Sequence, residues 1–245
     1  MLMYPFNLIN TKSYEELSKV TSDIIIEVIK KNPNSLFCFA GGDTPVRTLE
    51  LLVEAHHEKK INLCEAYYIG LDEWEGLDEF HKGSCLAYMN KNLFNPANIP
   101  KERIHFFNAK SNNLENECTL VNNYIKKHKG ITLSLLGVGV NGHLGFNEPG
   151  TSFESLAHVA ELNETTKNIG RKYFEYDTNI NKGITLGIKQ ILESKYLILE
   201  ASGETKREAI NKLMESKINL DWPVTALTLH GNCTVVLNKI LEINS

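Results

Sequence analysis

Short apolar runs, each followed by a stretch with helical spacing, recur along almost the whole of this chain. That alternation constrains its fold more than any other feature. "LFCFAG" precedes "TPVRTLELLVEAHHEKK", "AYYIGL" precedes a helical stretch near "SCLAYMNKNLF", and "IHFF" precedes "NNLENECTLVNNYIKKHKG". The rhythm continues with "ITLSLLGVG", with "GITLGIKQIL" as strand into helix, and with "KYLILEASG" before "ETKREAINKLMES". It ends in "VTALTLHG" and "CTVVLN", both read as strands. A strand covered on both faces reads as an unbroken apolar run, and parallel strands need crossovers, usually helical. The pattern predicts an α/β fold, a Rossmann-like three-layer sandwich around a mainly parallel sheet.

No Pro/Gly/Ser-rich linker, low-complexity segment or internal repeat divides the 245 residues, and 42% hydrophobic content suffices for one sizeable core, so residues 1–245 read as a single domain. The polar stretch "AKSNNLENE" reads as a loop entering a helix. With 26 basic residues scattered among 30 acidic ones and a formal net charge of −4, nothing favours nucleic acid or an anionic membrane. Any anionic ligand is therefore expected to be held locally. The opening "MLMYPFNLINTKS" has no basic segment followed by a long apolar one, and no run approaches a membrane span, so a soluble cytoplasmic protein is expected. Homo-oligomer formation is compatible with such a chain. Cys38, Cys64, Cys85, Cys118 and Cys233 form no C-x-x-C pair and read as reduced and mostly structural. The adjacent His56 and His57 lack the i, i+4 spacing of helical metal ligands, and no metal site is indicated.

Ligands of open parallel sheets bind beyond the carboxyl ends of the strands. Four such ends carry chemistry here. In "FAGGDTP", Gly41 and Gly42 lead to Thr44 as an N-cap and Pro45 as a first helical residue, which makes either a plain tight turn or a phosphate cradle. Asp43 counts against phosphate unless it turns away to cap the helix. In "GLDEWEGL", Asp72 and Glu73 are adjacent on a strand and point to opposite sides, so at most one faces a pocket; Asp72 is the candidate general base. "GVGVNGHLGFNEPG", residues 137–150, sets Asn141, His143 and Glu148 on a loop rich in glycine. A histidine with a neighbouring carboxylate can shuttle a proton near neutral pH, although a capping histidine with a surface glutamate would look the same. In "ASGETK", Lys206 stands in the first turns of a helix, where the dipole disfavours a cation, so an anionic ligand is a reasonable motive.

These four sites, in this order, resemble the glucosamine-6-phosphate deaminase/isomerase family, which shares its fold with 6-phosphogluconolactonases. The resemblance runs from "FAGGDTP" through "LDEWEGL", "GVGVNGHLGFNEPG" and "GITLGIKQIL" to "SGETKREAI" and "TALTLH". "LDEWEGL…GSC", "NEPG" and "GITLGIKQIL" look most like its galactosamine-6-phosphate branch. The resemblance implies that Asp72 moves a proton between C2 and C1 of the opened amino sugar. It also implies that His143 accepts the ring-opening proton, helped by Glu148 and by Asn141, an amide that can only orient. Gly42, Lys206 and Arg171 in "NIGRKYF" match the family's phosphate ligands, whereas Asp43 departs from its usual small residue. The basic and tyrosyl residues of the family's allosteric site have no clear match; His158 and Ala160 stand in that region.

The expected partner is thus a small-molecule sugar phosphate, with galactosamine 6-phosphate preferred and tagatose 6-phosphate and ammonia as products. Such chemistry needs an acid/base pair, a carboxylate for the C2 proton and a phosphate anchor, and no metal or redox cofactor. The alternatives are a 6-phosphogluconolactonase, which typically has "DER" where this chain has "DEW" and lacks the "FNEP" glutamate, and a non-catalytic sugar-phosphate sensor. The residues before "LFCFAG" are too few and too weakly basic for the DNA-binding segment of such a sensor.

Overall fold

The computed structural model describes residues 4–174 and 180–238. Met1–Met3 of the amino-terminal stretch, and parts of the domain read over residues 1–245, lie outside them. Among the described residues the strands are β1 (Asn7–Thr11), β2 (Leu36–Phe39), β3 (Tyr67–Ile69), β4 (Asp72–Trp74), β5 (Ile104–His105), β6 (Leu133–Leu136), β7 (His158–Glu161), β8 (Lys182–Thr185), β9 (Tyr196–Ala201) and β10 (Cys233–Asn238). The helices are α1 (Tyr14–Lys31), α2 (Val46–His57), α3 (Cys85–Met89), α4 (Leu114–Lys127), α5 (Glu164–Gly170), α6 (Ile188–Leu192) and α7 (Arg207–Met214). None is long and apolar enough to cross a membrane.

Seven strands form one sheet in the order β1-β10-β9-β6-β2-β3-β5, each neighbouring pair parallel. A second sheet, β4-β8-β7, is antiparallel. Alternate residues define the layers. On β2, Leu36 and Cys38 enter a core shared with α4, α6 and α7, whereas Phe37 and Phe39 enter one shared with α1 and α2. Both faces are covered, which is why these strands read as continuous apolar runs and why the α/β three-layer expectation holds.

Helix α1 escaped the sequence reading although its signals are present. Ser13 Oγ accepts from Glu16 N at 3.1 Å while the Glu16 carboxylate accepts from Lys12 N at 2.7 Å, close to a capping box. Leu17, Ile25, Val28 and Ile29 then form its buried stripe. "VTALTLHG" requires a correction: Pro223–Leu229 is a 3₁₀ helix, not a strand. Pro223 pre-sets a helical φ, and Thr225 Oγ1 donates to Trp222 O at 2.8 Å. Burial of every residue from Pro223 to Leu227 erased the periodicity that would have distinguished the two. "IHFF" shortens to the two-residue edge strand β5.

Chain order turns outward from between β2 and β6: β3 and β5 lie on one side, β9, β10 and β1 on the other. That reversal marks the binding crevice of a doubly wound sheet. The four strands whose ends carry the candidate chemistry, β9, β6, β2 and β3, are adjacent in the sheet and straddle it.

Candidate active site

The loop after β6 shows what its glycines are for. A Cβ on Gly139 would lie 2.3 to 2.5 Å from the His143 ring, so only glycine lets that ring fold back over the strand end. Gly145, at φ +59, brings the loop so close to β8 that a Cβ would lie 2.7 Å from Thr185 Oγ1 and 3.5 Å from Asp72 Oδ2. Phe146 N donates to Thr185 Oγ1 at 3.1 Å, and Thr185 is the register partner of Asp72. Two segments far apart in sequence are thereby locked together, with Asp72 against the loop that carries His143.

Within the loop, His143 Nδ1 lies 3.2 Å from Thr166 Oγ1 and 3.8 Å from Glu148 Oε2. Glu148 is buried; its Oε2 accepts from Asn141 Nδ2 at 3.0 Å and its Oε1 from Asn163 N at 3.3 Å. Asn141 Oδ1 in turn accepts from His143 N at 3.4 Å. Asn141, His143 and Glu148 are thus brought together as expected, and Thr166 on α5 joins them without any mark in the sequence. Burial holds the His143 imidazolium below its ordinary pKa; Glu148 opposes this and Lys206 adds to it. The ring is neutral at pH 7. With Nδ1 facing a carboxylate and a hydroxyl, the proton belongs on Nδ1 and Nε2 is the free acceptor.

The adjacent carboxylates divide their roles as strand alternation requires. Glu73 is 1% exposed and accepts from Trp74 N at 2.9 Å, Cys85 N at 3.0 Å, Leu86 N at 2.9 Å and Ser84 Oγ at 2.7 Å. Its oxygens are spent on the start of α3. Asp72, on the other face, has no such set. Burial, and then the Glu73 carboxylate, push its pKa up to about 7, while the Cys85 thiol pulls the other way. Cys85 is a second residue near the site that sequence reasoning missed; a lone thiol carries no pattern.

At the end of β2, helix α2 begins at Val46 with Pro45 at the cap position and no side-chain cap bond, so neither Thr44 nor Asp43 caps it, contrary to expectation. The loop is pinned through its carbonyls, with Tyr14 Oη donating to Thr44 O at 2.8 Å and Tyr88 Oη donating to Gly42 O. The backbone N–H groups of Gly41, Gly42, Asp43 and Thr44 donate to none of the described residues. Open donors beside the amino end of α2 suit an anion. Lys206, half-buried after β9, is held below its ordinary pKa by burial and by the charge of Lys172, with Asp43 opposing. Lys206 is therefore within electrostatic reach of the loop that carries Gly41, Gly42 and Thr44. Arg171 is exposed, and its charge is felt at Glu164. The next residue, Lys172, reaches the loop, its Nζ 2.7 Å from Asp43 Oδ2.

Among the described residues no group of three or more His, Cys, Asp or Glu is placed to hold a metal ion. An open cleft at the far ends of α1 and α2, lined by Ile29, Pro33, His56 and Ile61, contains none of the groups above.

The family model for glucosamine-6-phosphate isomerases/6-phosphogluconolactonase matches residues 10–236. The glucosamine-6-phosphate deaminase of Bacillus pumilus is 36% identical over 234 residues, covering 95% of this chain and 97% of the relative. That of Clostridium botulinum (strain Langeland) is 38% identical over 233 residues, covering 95% and 96%. A solved structure of a monomeric glucosamine-6-phosphate deaminase superposes with a TM-score of 0.93 at 35% identity, covering 96% of this chain and 100% of the other. The 6-phosphogluconolactonase of Trypanosoma brucei reaches 0.76 at 17% identity over 98% of each chain, a likeness of fold alone. With relatives above one-third identity along nearly its whole length and a family match that takes in all four strand ends, the chain belongs to the glucosamine-6-phosphate isomerase/6-phosphogluconolactonase family.

Proposed function

We propose that this protein, acting as one domain, is a hexosamine-6-phosphate deaminase/isomerase that converts an amino-aldose 6-phosphate to the ketose 6-phosphate and ammonia. The observation that carries the reading is the contact made by Gly145, which presses the His143 loop against Asp72. His143 Nε2 accepts the C1 hydroxyl proton as the ring opens and returns it to the ring oxygen. Asp72 then removes the C2 proton of the open aldehyde and delivers it to C1 while a proton of the C2 amine passes to O1, so that the enolamine formed on the way becomes a C2 imine bearing a C1 hydroxyl. The resulting C2 imine takes up water and loses ammonia, leaving the ketone. Gly41, Gly42, Thr44 and Lys206 hold the 6-phosphate at the other end of the crevice. The names of the relatives support the deamination, and the buried Glu148 beside His143 favours it over lactone hydrolysis.

For the sugar, the reading is galactosamine 6-phosphate first and glucosamine 6-phosphate second. The stretches that resemble the galactosamine branch lie around the base: the Cys85 thiol of "GSC" acts on Asp72, and Thr185 of "GITLGIKQIL" is its register partner. The two sugars differ at C4, and one buried hydroxyl contact discriminates such epimers by on the order of a hundredfold. Ammonia release from each sugar, measured with EDTA present, tests the activity, and the ratio of kcat/KM tests the preference. Asp72→Asn is expected to abolish exchange of the C2 proton with solvent while substrate still binds. Exchange at the wild-type rate in that variant would remove Asp72 as the base.

A further inference from the structure

The first loop contains a group that phosphate binding does not call for, a carboxylate. Asp43 belongs to the loop of open backbone donors, pairs with Lys172 and is within electrostatic reach of Lys206. It does not cap α2, and the loop is held by Tyr14 and Tyr88 through carbonyls, so its carboxylate is not needed to shape the turn. Instead, Oδ2 pairs with Lys172 Nζ at 2.7 Å and lies 3.5 Å from the Tyr173 hydroxyl. Lys206 feels the charges of both Lys172 and Asp43.

We propose that Asp43 is a resident counter-anion of the phosphate site: in the free protein its carboxylate occupies Lys172, and an entering phosphate monoester dianion displaces it and takes Lys172 over. The inference rests on the phosphate site proposed above. Two lysines and one carboxylate leave a single positive charge to meet a dianion, so the loaded site is electrostatically underfilled. Side-chain exposures of 50% for Lys172 and 71% for Asp43 make the resident pair a solvated one, and pairs of that kind contribute little and separate easily. A weakened anchor has a use. Substrate and product carry the same phosphate, so tighter uniform binding would retain the product without speeding the chemical step.

The test is calorimetric titration with inorganic phosphate, alongside KM for the hexosamine 6-phosphate. Asp43→Asn removes one repelling charge and is expected to tighten phosphate binding and lower KM together, each by on the order of fivefold. Asp43→Ser should do the same, and Asp43→Glu, which keeps the charge, should not. Unchanged or weaker phosphate binding in Asp43→Asn and Asp43→Ser would overturn the counter-anion role, since Asp43 would then be neutral to the site or part of its construction. Lys206→Ala separates this from failure of the site itself. Phosphate binding that survives Lys206→Ala would remove the cradle and the proposal with it, whereas Lys206-dependent binding that Asp43→Asn does not tighten would remove the proposal alone.

Discussion

A base must be ionised to accept a proton, so the titration of Asp72 sets the acid limb of the proposed reaction. Burial and Glu73 place that titration at about 7, whereas His143 is held below its ordinary range. As pH rises, Asp72 is therefore the later of the two to reach its working form, and kcat/KM should climb through about pH 7. Cys85→Ala deletes a donor that stabilises the carboxylate and should move this limb upward by about half a unit. Cys85→Ser, a stronger donor, should move it downward. A limb that stays in place in both variants would show that the thiol does not act on the base. Asp72 was legible because neighbours on a strand face opposite ways, leaving one carboxylate for the pocket. Cys85 and Thr166 were not, because they arrive on α3 and α5 from other parts of the chain. Lys172 carried no mark either, because residue type alone does not say which side chain of the 3₁₀ turn Arg171–Tyr173 reaches the first loop, and it is Lys172 that pairs with Asp43.

Among the elements, the loop after β6 combines legible composition with illegible geometry. Its glycine density announced a close approach, and the structure identifies what approaches: the His143 ring at Gly139, and Thr185 with Asp72 at Gly145. Gly145→Ala adds strain of about 1 to 2 kcal/mol at a left-handed φ and pushes a Cβ into Thr185. The strain should lower Tm by only a few degrees, whereas a displacement of the base by a fraction of an ångström should cut kcat by on the order of a hundredfold. Gly130→Ala is the control, since Gly130 also has positive φ, at +97, but nothing lies within 4 Å of its Cβ position. It should lose similar stability and keep its activity; parallel loss of activity in both variants would refute the positional role of Gly145. Other elements show where periodicity stops working. Helix α1 hides its stripe by burying Ser18, Thr21 and Ser22 beside the apolar residues, and the run Pro223–Leu227 is buried throughout, which leaves no exposed face there to reveal its period.

For the whole molecule, alternating runs and helices announced a parallel sheet but not its strand order, which depends on pairings between distant segments. One such juxtaposition buries a carboxyl that no sequence pattern flags. Glu200 on β9 is 0% exposed; its Oε1 accepts from Thr48 Oγ1 of α2 at 2.5 Å, and its Oε2 has no hydrogen-bond partner among the described residues. Burial pushes its pKa up to about 8, with the Thr48 hydroxyl opposing. The unfolded chain releases this proton near the ordinary 4.5, so the stability tied to Glu200 is fully present below that value and is lost as pH rises through about 8. Asp72 acts with the same sign between 3.8 and about 7. Asp78, lowered to about 2 chiefly by its bond from Lys110, acts oppositely: its contribution is present above 3.8 and is lost as pH falls through about 2. Unfolding free energy should therefore peak in mildly acidic solution and decline toward pH 8. Glu200→Gln keeps the shape and removes the charge, so urea unfolding at pH 5.5, 7 and 8.5 should show a decline shallower than in the wild type by up to a few kcal/mol. Parallel curves for the two proteins would mean that Glu200 ionises in the folded state as easily as in the unfolded one, and that the acid preference lies with the other buried carboxyls, Asp72 and Glu73.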